Sequence, residues 1–192
     1  MRQHSKTTVM AFTVLMMLGG WRLPADGEVG VGLRGGMLLP DQNPFKAEFD
    51  ASFLIGGVVE FDSNIGPTLE ASVERYAQNS NIAARGGDIS IVPIMLAVKY
   101  SFLPRYRTSP FVGLGVGSYF FNREYVNGTS ISKTRFGARV SLGIRFFQDR
   151  VFHLIFEGAR NFVDFEDMNA SSYQFTATLL YNFSPTVVAA PY

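Results

Sequence analysis

Apolar and polar residues alternate with a period of two along nearly all of the chain after residue 27, and no segment repeats apolar residues at the spacing of an amphipathic helix. This alternation predicts β-strands with one apolar and one polar face. Turn-forming residues bound eight such segments, which cover residues 28–39, 52–61, 68–78, 88–102, 111–123, 134–147, 151–162 and 172–183. Pro93 lies inside the fourth segment without an N–H to donate, so we expect a bulge or a later strand start there.

The connections between these predicted strands alternate in length. Short turns are predicted at 62–67, 104–110 and 148–150, whereas the longer connections are polar and rich in Asn, Asp, Gly and Ser, at 40–51, 79–87, 124–133 and 163–171. Short turns at one end and longer loops at the other are typical of bacterial outer-membrane barrels, whose short turns face the periplasm. An even number of strands agrees with such a barrel.

The two faces of the predicted strands differ in chemistry. One face is aliphatic and almost uncharged, as at Leu33, Leu114 and Val140. The opposite face holds glycine and small polar residues, and it also holds the charged residues Arg34, Glu60, Glu70, Glu74, Lys99, Arg135, Arg139, Arg145 and Glu157. These charges nearly balance, so the charged face can be buried as ion pairs. Glycines on this face are expected to relieve crowding in a narrow lumen.

Aromatic residues lie at both ends of the apolar face. Those toward the short turns are Phe61, Tyr100, Phe102, Phe146, Phe152, Tyr181 and Phe183, and those toward the long loops are Phe53, Phe120, Phe136, Phe162, Tyr173 and Phe175. Two aromatic girdles around an aliphatic band are typical of a surface that faces lipid. The sequence therefore predicts an all-β, eight-stranded antiparallel up-and-down transmembrane β-barrel, closed because an open edge would leave backbone groups unpaired in hydrocarbon. A secreted soluble eight-stranded barrel is the alternative.

The first 27 residues have the features of a secretory signal peptide. A short basic region with Arg2 and Lys6 precedes an apolar run over 9–21, and small residues at Ala25 and Gly27 suit cleavage before Glu28 or after Ala25. An N-terminal membrane anchor is the alternative, but this run is shorter than the ~20 residues that span a bilayer. We expect a signal peptide at 1–27, a barrel at 28–183 and a C-terminal tail at 184–192, located in the outer membrane.

Composition excludes several classes of function. Removal of residues 1–27 takes three basic and one acidic residue from the 17 basic and 16 acidic residues of the chain, which leaves 14 and 15. With a net charge of −1 and only 17% charged residues, the chain is neither disordered nor a nucleic-acid binder. It has no cysteine for a thiolate metal site or a nucleophile. No apolar stretch after the signal region is long enough for a transmembrane helix.

Residues 28–183 resemble the small outer-membrane β-barrel family of OmpA-like and OmpW-like eight-stranded proteins. The resemblance lies in the glycine-rich run at 110–117, the passage Phe61-Asp62-Ser63-Asn64 from strand to turn, and the alternating strand at 173–183. It implies that this last strand is a signal for the outer-membrane assembly machinery. In the family the final aromatic residue usually ends the chain, whereas here residues 184–192 follow Phe183.

The leading functional hypothesis is a structural or interaction protein whose lumen is plugged by a salt-bridge network and whose four loops meet an unidentified extracellular ligand. Charged and apolar residues suited to contact occur in these loops: Phe45, Lys46, Glu48, Phe49, Asp50, Arg85, Glu124, Tyr125, Asp164, Phe165, Glu166 and Asp167. The alternative, a narrow channel for small or hydrophobic solutes through a gated polar path, is what the OmpW-like resemblance implies.

Two arginines lie on the apolar phase near the outer ends of their strands, Arg75 and Arg160. They either contact lipopolysaccharide phosphates, which suit the arginine fork, or extend toward the headgroup region as interfacial side chains. His153 is expected beside a short turn, away from the outer leaflet, and the His-x-Ser pattern of the similarly folded lipid A deacylases does not occur there. We therefore predict no catalytic residue, no metal site and no cofactor.

Overall fold

The computed structural model describes residues 27–41, 51–63, 65–79, 87–104, 106–125, 129–148, 150–165 and 168–183. These residues form ten β-strands: β1 Glu28–Pro40, β2 Ser52–Asp62, β3 Pro67–Asn79, β4 Gly87–Ser101, β5 Thr108–Tyr125, β6 Ser130–Phe146, β7 Phe152–Phe162, β8 Asp164–Phe165, β9 Met168–Asn169 and β10 Ser172–Asn182. The predicted tail and all of the predicted signal peptide except Gly27 lie outside this part of the chain. Among the described residues no helix is long and apolar enough to cross a membrane.

Eight of the strands close a barrel in the order β1-β10-β7-β6-β5-β4-β3-β2, with every neighbouring pair antiparallel. The first and last strands complete the cylinder, from Gly30 opposite Asn182 to Pro40 opposite Ser172. The two-residue strands β8 and β9 form a separate small hairpin, which the sequence pattern did not predict. The predicted eight-stranded up-and-down barrel is confirmed.

Pro93 interrupts one ladder without the predicted bulge or late strand start. The N–H of Ser101 donates to the carbonyl of Gly66, at 2.8 Å, so alternate residues of β4 direct their N–H groups toward β3. Position 93 is one of these alternate residues, but proline has no N–H to donate to β3. The pairing of β3 with β4 is interrupted next to Pro93. Its register is the same before and after the interruption, with Val73 opposite Ile94 and Tyr76 opposite Ile91. The bulge prediction is therefore wrong: the ladder loses hydrogen bonds but gains no residue.

The barrel wall is taller on one side than on the other at the long-loop end. β5 and β6 have 18 and 17 residues, whereas β7 and β10 have 11 each. Pairing between β6 and β7 ends where Ala138 faces Phe162, and residues 130–137 of β6 continue beyond it with β5 as their partner. The inward phase of β6 is still buried at Gly137 and therefore leaves the lumen only beyond it, toward the long loops.

The alternation of side chains follows the predicted faces. Leu33, Leu114 and Leu142 on the outer face are 67% to 74% exposed, and Phe53 near the long loops is 81% exposed. On β10 every residue from Ser172 to Asn182 alternates between buried and exposed. An aliphatic outer wall of this extent is stable in hydrocarbon and unfavourable in water. The charged phase is inside.

Candidate functional site in the barrel lumen

Arg34 of β1 occupies the centre of the lumen and reaches acidic side chains of β3. Its guanidinium donates to both carboxylate oxygens of Glu70, at 3.0 and 2.6 Å, and to Oε1 of Glu74, at 2.9 Å. Lys99 of β4 donates to the same Glu70, at 2.6 Å, and to Glu157 of β7, at 2.7 Å. Because these residues come from four strands, their ion pairs connect opposite sides of the barrel.

Arg139 of β6 forms a second layer, nearer the long loops. It donates to both oxygens of Glu74, each at 2.9 Å, to Oδ1 of Asn161 at 2.8 Å and to Oε1 of Gln174 at 3.0 Å. Gln174 in turn donates to Glu74, at 3.0 Å, and the hydroxyl of Tyr119 donates to Asn161, at 3.1 Å. Glu74 thus joins the Arg139 layer to the Arg34 layer below it.

Arg145, near the short-turn end of β6, forms a third layer. It donates to Glu60, at 2.7 Å, and to Asp62, at 3.0 Å. The second oxygen of Glu60 lies 3.7 Å from Nζ of Lys99, which links this layer to the centre. Asp62 is a member that the sequence analysis did not include, because it was assigned to the turn after β2.

Eight of the nine predicted lumen residues lie buried inside the barrel: Arg34, Glu60, Glu70, Glu74, Lys99, Arg139, Arg145 and Glu157. The prediction was wrong for Arg135, which does not lie in the lumen. It belongs to the same phase of β6 as Arg139, but it lies opposite Tyr119 on the segment that continues past the end of β7, and its side chain is exposed. The difference in strand length, which alternation does not encode, places it outside the lumen.

Buried charges are stable only when each one is paired and hydrogen-bonded, since desolvation of a lone ion costs several kcal/mol. Here each acidic side chain of the layers receives at least one hydrogen bond from a cationic side chain. Such an arrangement holds strands together and obstructs the lumen. Within the described ranges no three His, Cys, Asp or Glu side chains are grouped so that they could hold a metal ion.

An apolar cluster lies at the long-loop end of the lumen, and we call it the outer cap. Its members are Leu38, Leu54, Tyr76, Ile89, Ile91, Met95, Tyr119, Phe121, Val163 and Ala170, each at most 5% exposed. They come from β1 to β5 and from the segment between β7 and β10. This cap was not predicted from the sequence, although its strand residues could have been found by following the inward phase of the strands to their loop ends.

Glycines on the inward phase leave room for large lumen side chains. A Cβ at Gly137 would lie 2.6 Å from the ring of Tyr119 and 2.9 Å from the carbonyl oxygen of Phe162. A Cβ at Gly113 would lie 2.5 Å from Oγ of Ser141 and 3.1 Å from the Lys99 side chain. Real side chains do not approach so closely, so these positions require glycine for the packing seen here.

The two arginines of the apolar phase have different surroundings. Arg160 donates to Asp41, at 2.6 Å, and its guanidinium carbon lies 5.1 and 5.3 Å from the ring centres of Phe162 and Tyr173. Its charge is therefore engaged at the rim of the barrel. Arg75, on β3 opposite Ile55, is exposed.

His153 lies at the start of β7, beside the short turn, as expected. It is buried, and the side-chain nitrogen of Asn182 lies 3.1 Å from its Nε2. Of the loop residues named above, Glu124 and Asp164 are exposed. Lys46, Glu48, Asp50, Arg85, Glu166, Asp167, Phe45 and Phe49 lie outside the described residues, as do the side chains of Tyr125 and Phe165.

The family model named outer membrane protein beta-barrel domain matches residues 10–183. The chain belongs to this family. The resemblance drawn from the sequence is thereby confirmed, and the protein is an outer-membrane barrel. No curated protein matches the chain.

Solved structures of outer-membrane barrels share the fold. Neisserial surface protein A is 13% identical, over 83% of this chain and 98% of its own, with a TM-score of 0.59. The outer membrane protein OprG of Pseudomonas aeruginosa is 12% identical, over 82% and 96%, with a TM-score of 0.60. The N-terminal barrel domain of OprF from the same organism is 13% identical, over 82% and 99%, with a TM-score of 0.54. At these identities the likeness extends to the fold alone.

Proposed function

We propose that this outer-membrane barrel is a structural and interaction protein: a rigid, plugged cylinder that presents its long loops to an extracellular ligand. The observation that carries the proposal is the filled lumen. Three layers of ion pairs, around Arg145, Arg34 and Arg139, cross the barrel interior, and the outer cap lies above them. In the part of the chain that the structure describes, side chains fill the barrel interior, and a barrel filled in this way offers its outer surfaces for function.

The same proposal includes the route to the membrane. Residues 1–27 direct export as a cleaved signal peptide, and β10, with its alternating outward aromatic residues such as Tyr173, Phe175 and Tyr181, is the strand that the assembly machinery binds. The short turns face the periplasm and the long loops face outward.

Planar-bilayer recordings separate this function from that of a narrow channel. The mature chain, residues 28–192, is refolded and inserted, and its current is compared with that of the bilayer alone. We expect no conductance steps, since both the ion-pair layers and the outer cap would have to open. A folded variant with Arg34→Ala, Arg139→Ala and Tyr119→Ala is the control expected to conduct. Steady conductance by the natural chain would favour the channel.

A second part of the proposal concerns lipopolysaccharide. Arg75 is exposed near the outer end of its strand, where lipid phosphates lie, whereas Asp41 already binds Arg160. We therefore expect Arg75→Ala to reduce the lipopolysaccharide that co-purifies with the barrel, and Arg160→Ala to change it less. Equal retention by all three proteins would show that neither arginine holds lipopolysaccharide.

A further inference from the structure

A buried amide connects the first and last strands of the barrel at the short-turn end. Asn182 of β10 lies opposite Gly30 of β1, and its side-chain nitrogen donates to Oε2 of Glu28, at 2.8 Å. The same nitrogen lies 3.1 Å from Nε2 and 3.4 Å from Nδ1 of His153 on β7. The side chains of Asn182, Glu28 and His153 belong to residues that are at most 5% exposed. Asn182 therefore links three strands, β1, β7 and β10.

The partners of Asn182 fix the protonation state of the imidazole. A carboxylate only accepts hydrogen bonds, so the Glu28 carboxylate requires the nitrogen of the amide, and not its oxygen, on the side that it faces. An amide nitrogen only donates, so the ring nitrogen of His153 that it contacts must accept and cannot carry a proton. Because both ring nitrogens of an imidazolium carry protons, this arrangement requires a neutral His153.

Charged groups from several elements surround the imidazole. Arg145 of β6, Glu28 of β1 and Asp62 of β2 act on it electrostatically, and the backbone of Arg150, in the turn before β7, forms a hydrogen bond with the ring. Both carboxylates are engaged, since Asp62 accepts from Arg145 at 3.0 Å and Glu28 accepts from the amide described above. A proton on His153 would place a second cation near Arg145 in a site shielded from water, which is unfavourable.

We propose that His153 is an acid-sensitive latch for the seam between β1 and β10. While the imidazole is neutral, Asn182 binds both His153 and Glu28 and holds the short-turn end of the seam closed. Protonation turns the accepting ring nitrogen into a donor, so the amide must rotate its oxygen toward the ring. The amide nitrogen then leaves Glu28, and this connection across the seam is lost. Acid therefore loosens the short-turn end of the barrel, independently of any ligand at the loops.

The pH dependence of unfolding tests the latch, because residues 28–192 contain one histidine. His4 lies in the predicted signal peptide, so His153 is the side chain of the mature chain whose ordinary pKa falls between pH 5 and 8. The natural mature chain and the variant His153→Gln, which keeps a neutral polar side chain, are unfolded with urea in lipid vesicles at pH 7.5 and 5.5. Both proteins have the same α-amino and carboxyl groups, so the difference between them reports on His153.

Between pH 7.5 and 5.5 we expect the unfolding equilibrium constant of the natural chain to rise about tenfold more than that of His153→Gln. A histidine in the unfolded chain, with a pKa of about 6.5, gains a proton over this range, whereas the neutral imidazole in the barrel does not, so stability is lost as the pH falls. Equal pH dependence of the two proteins would overturn the proposal. A natural chain that gains stability in acid relative to the variant would also overturn it, since the imidazolium would then pair with Glu28 directly.

Hydrogen exchange shows whether the change occurs at the seam. The N–H of Phe183 donates to the carbonyl of Val29 across the seam, at 3.0 Å, and the N–H of Ser101 donates to the carbonyl of Gly66 between β3 and β4 at the same end of the barrel, at 2.8 Å. After correction for the intrinsic pH dependence of exchange, we expect the protection of Phe183 to fall severalfold from pH 7.5 to 5.5 and that of Ser101 to stay unchanged.

This exchange experiment uses the natural chain, so it remains available if His153→Gln does not fold. Protection that falls equally at Phe183 and Ser101, or at neither, would contradict a latch at the seam.

Discussion

At the scale of single residues, the lumen is stable because its charges share partners. Glu74 binds both Arg34 and Arg139, and Glu70 binds both Arg34 and Lys99. A buried charge that loses its partner keeps its desolvation cost. Removal of one member therefore lowers the free energy of unfolding by more than the loss of a single ion pair would. The network is consequently most sensitive to substitutions that leave a charge alone.

Arg139 and Arg135 provide a matched pair on one strand and one phase. We expect Arg139→Gln to lower the free energy of unfolding by about 3–5 kcal/mol, because Glu74 loses a bidentate partner. The exposed Arg135→Gln should change it by about 0.5 kcal/mol or less. Urea unfolding in lipid vesicles, followed by circular dichroism, measures both; equal effects would contradict the burial described for Arg139.

Glycine substitutions test the packing of the lumen wall. Gly137→Ala brings a methyl group against the Tyr119 ring and a backbone oxygen, so we expect it to destabilise the barrel by about 1–3 kcal/mol. Gly35→Ala is the control, since a Cβ there has no atom within 4 Å. The same urea titration compares the two variants. An unchanged free energy of unfolding for Gly137→Ala would show that the lumen wall can accommodate the added methyl group.

At the scale of elements, alternation predicted the strands well because one face is buried and the other meets lipid. The predicted starts of β1, β2 and β10 agree with the structure. The predicted β6 began four residues late, at 134, because a strand that leaves the barrel with one neighbour no longer needs strict alternation. The predicted bulge at Pro93 was wrong because the missing N–H only interrupts the ladder. The residue pairs on either side of the interruption keep the register.

Closure between β1 and β10 is tested by a disulfide. Leu33 lies opposite Leu179, and paired Cα atoms are about 4.5–5.5 Å apart, which suits a disulfide. We expect Leu33→Cys/Leu179→Cys to crosslink on mild oxidation and Leu33→Cys/Phe175→Cys, displaced by about 13 Å along the strand, to remain reduced. Mass spectrometry under non-reducing conditions reads the result, and crosslinking of the displaced pair alone would mean a different register.

At the scale of the whole molecule, the inward charges could be predicted from the sequence but their arrangement could not. Alternation placed Arg34 and Glu70 on the same face, yet their contact joins β1 to β3, two strands apart, and Lys99 reaches Glu157 from β4 to β7. Such contacts depend on barrel closure and on the register of every strand between them. The three ion-pair layers and the outer cap emerge only when these registers stack the strands into layers.

This chain is a closed barrel with its apolar face toward lipid and its charges inside. Electrophoresis of the mature chain, refolded in detergent and loaded with or without boiling, tests this structure when it is combined with circular dichroism. We predict a β spectrum and a change in migration on boiling, with folding that requires detergent or lipid. A chain that is soluble without detergent and migrates identically before and after boiling would contradict a barrel whose apolar face meets lipid.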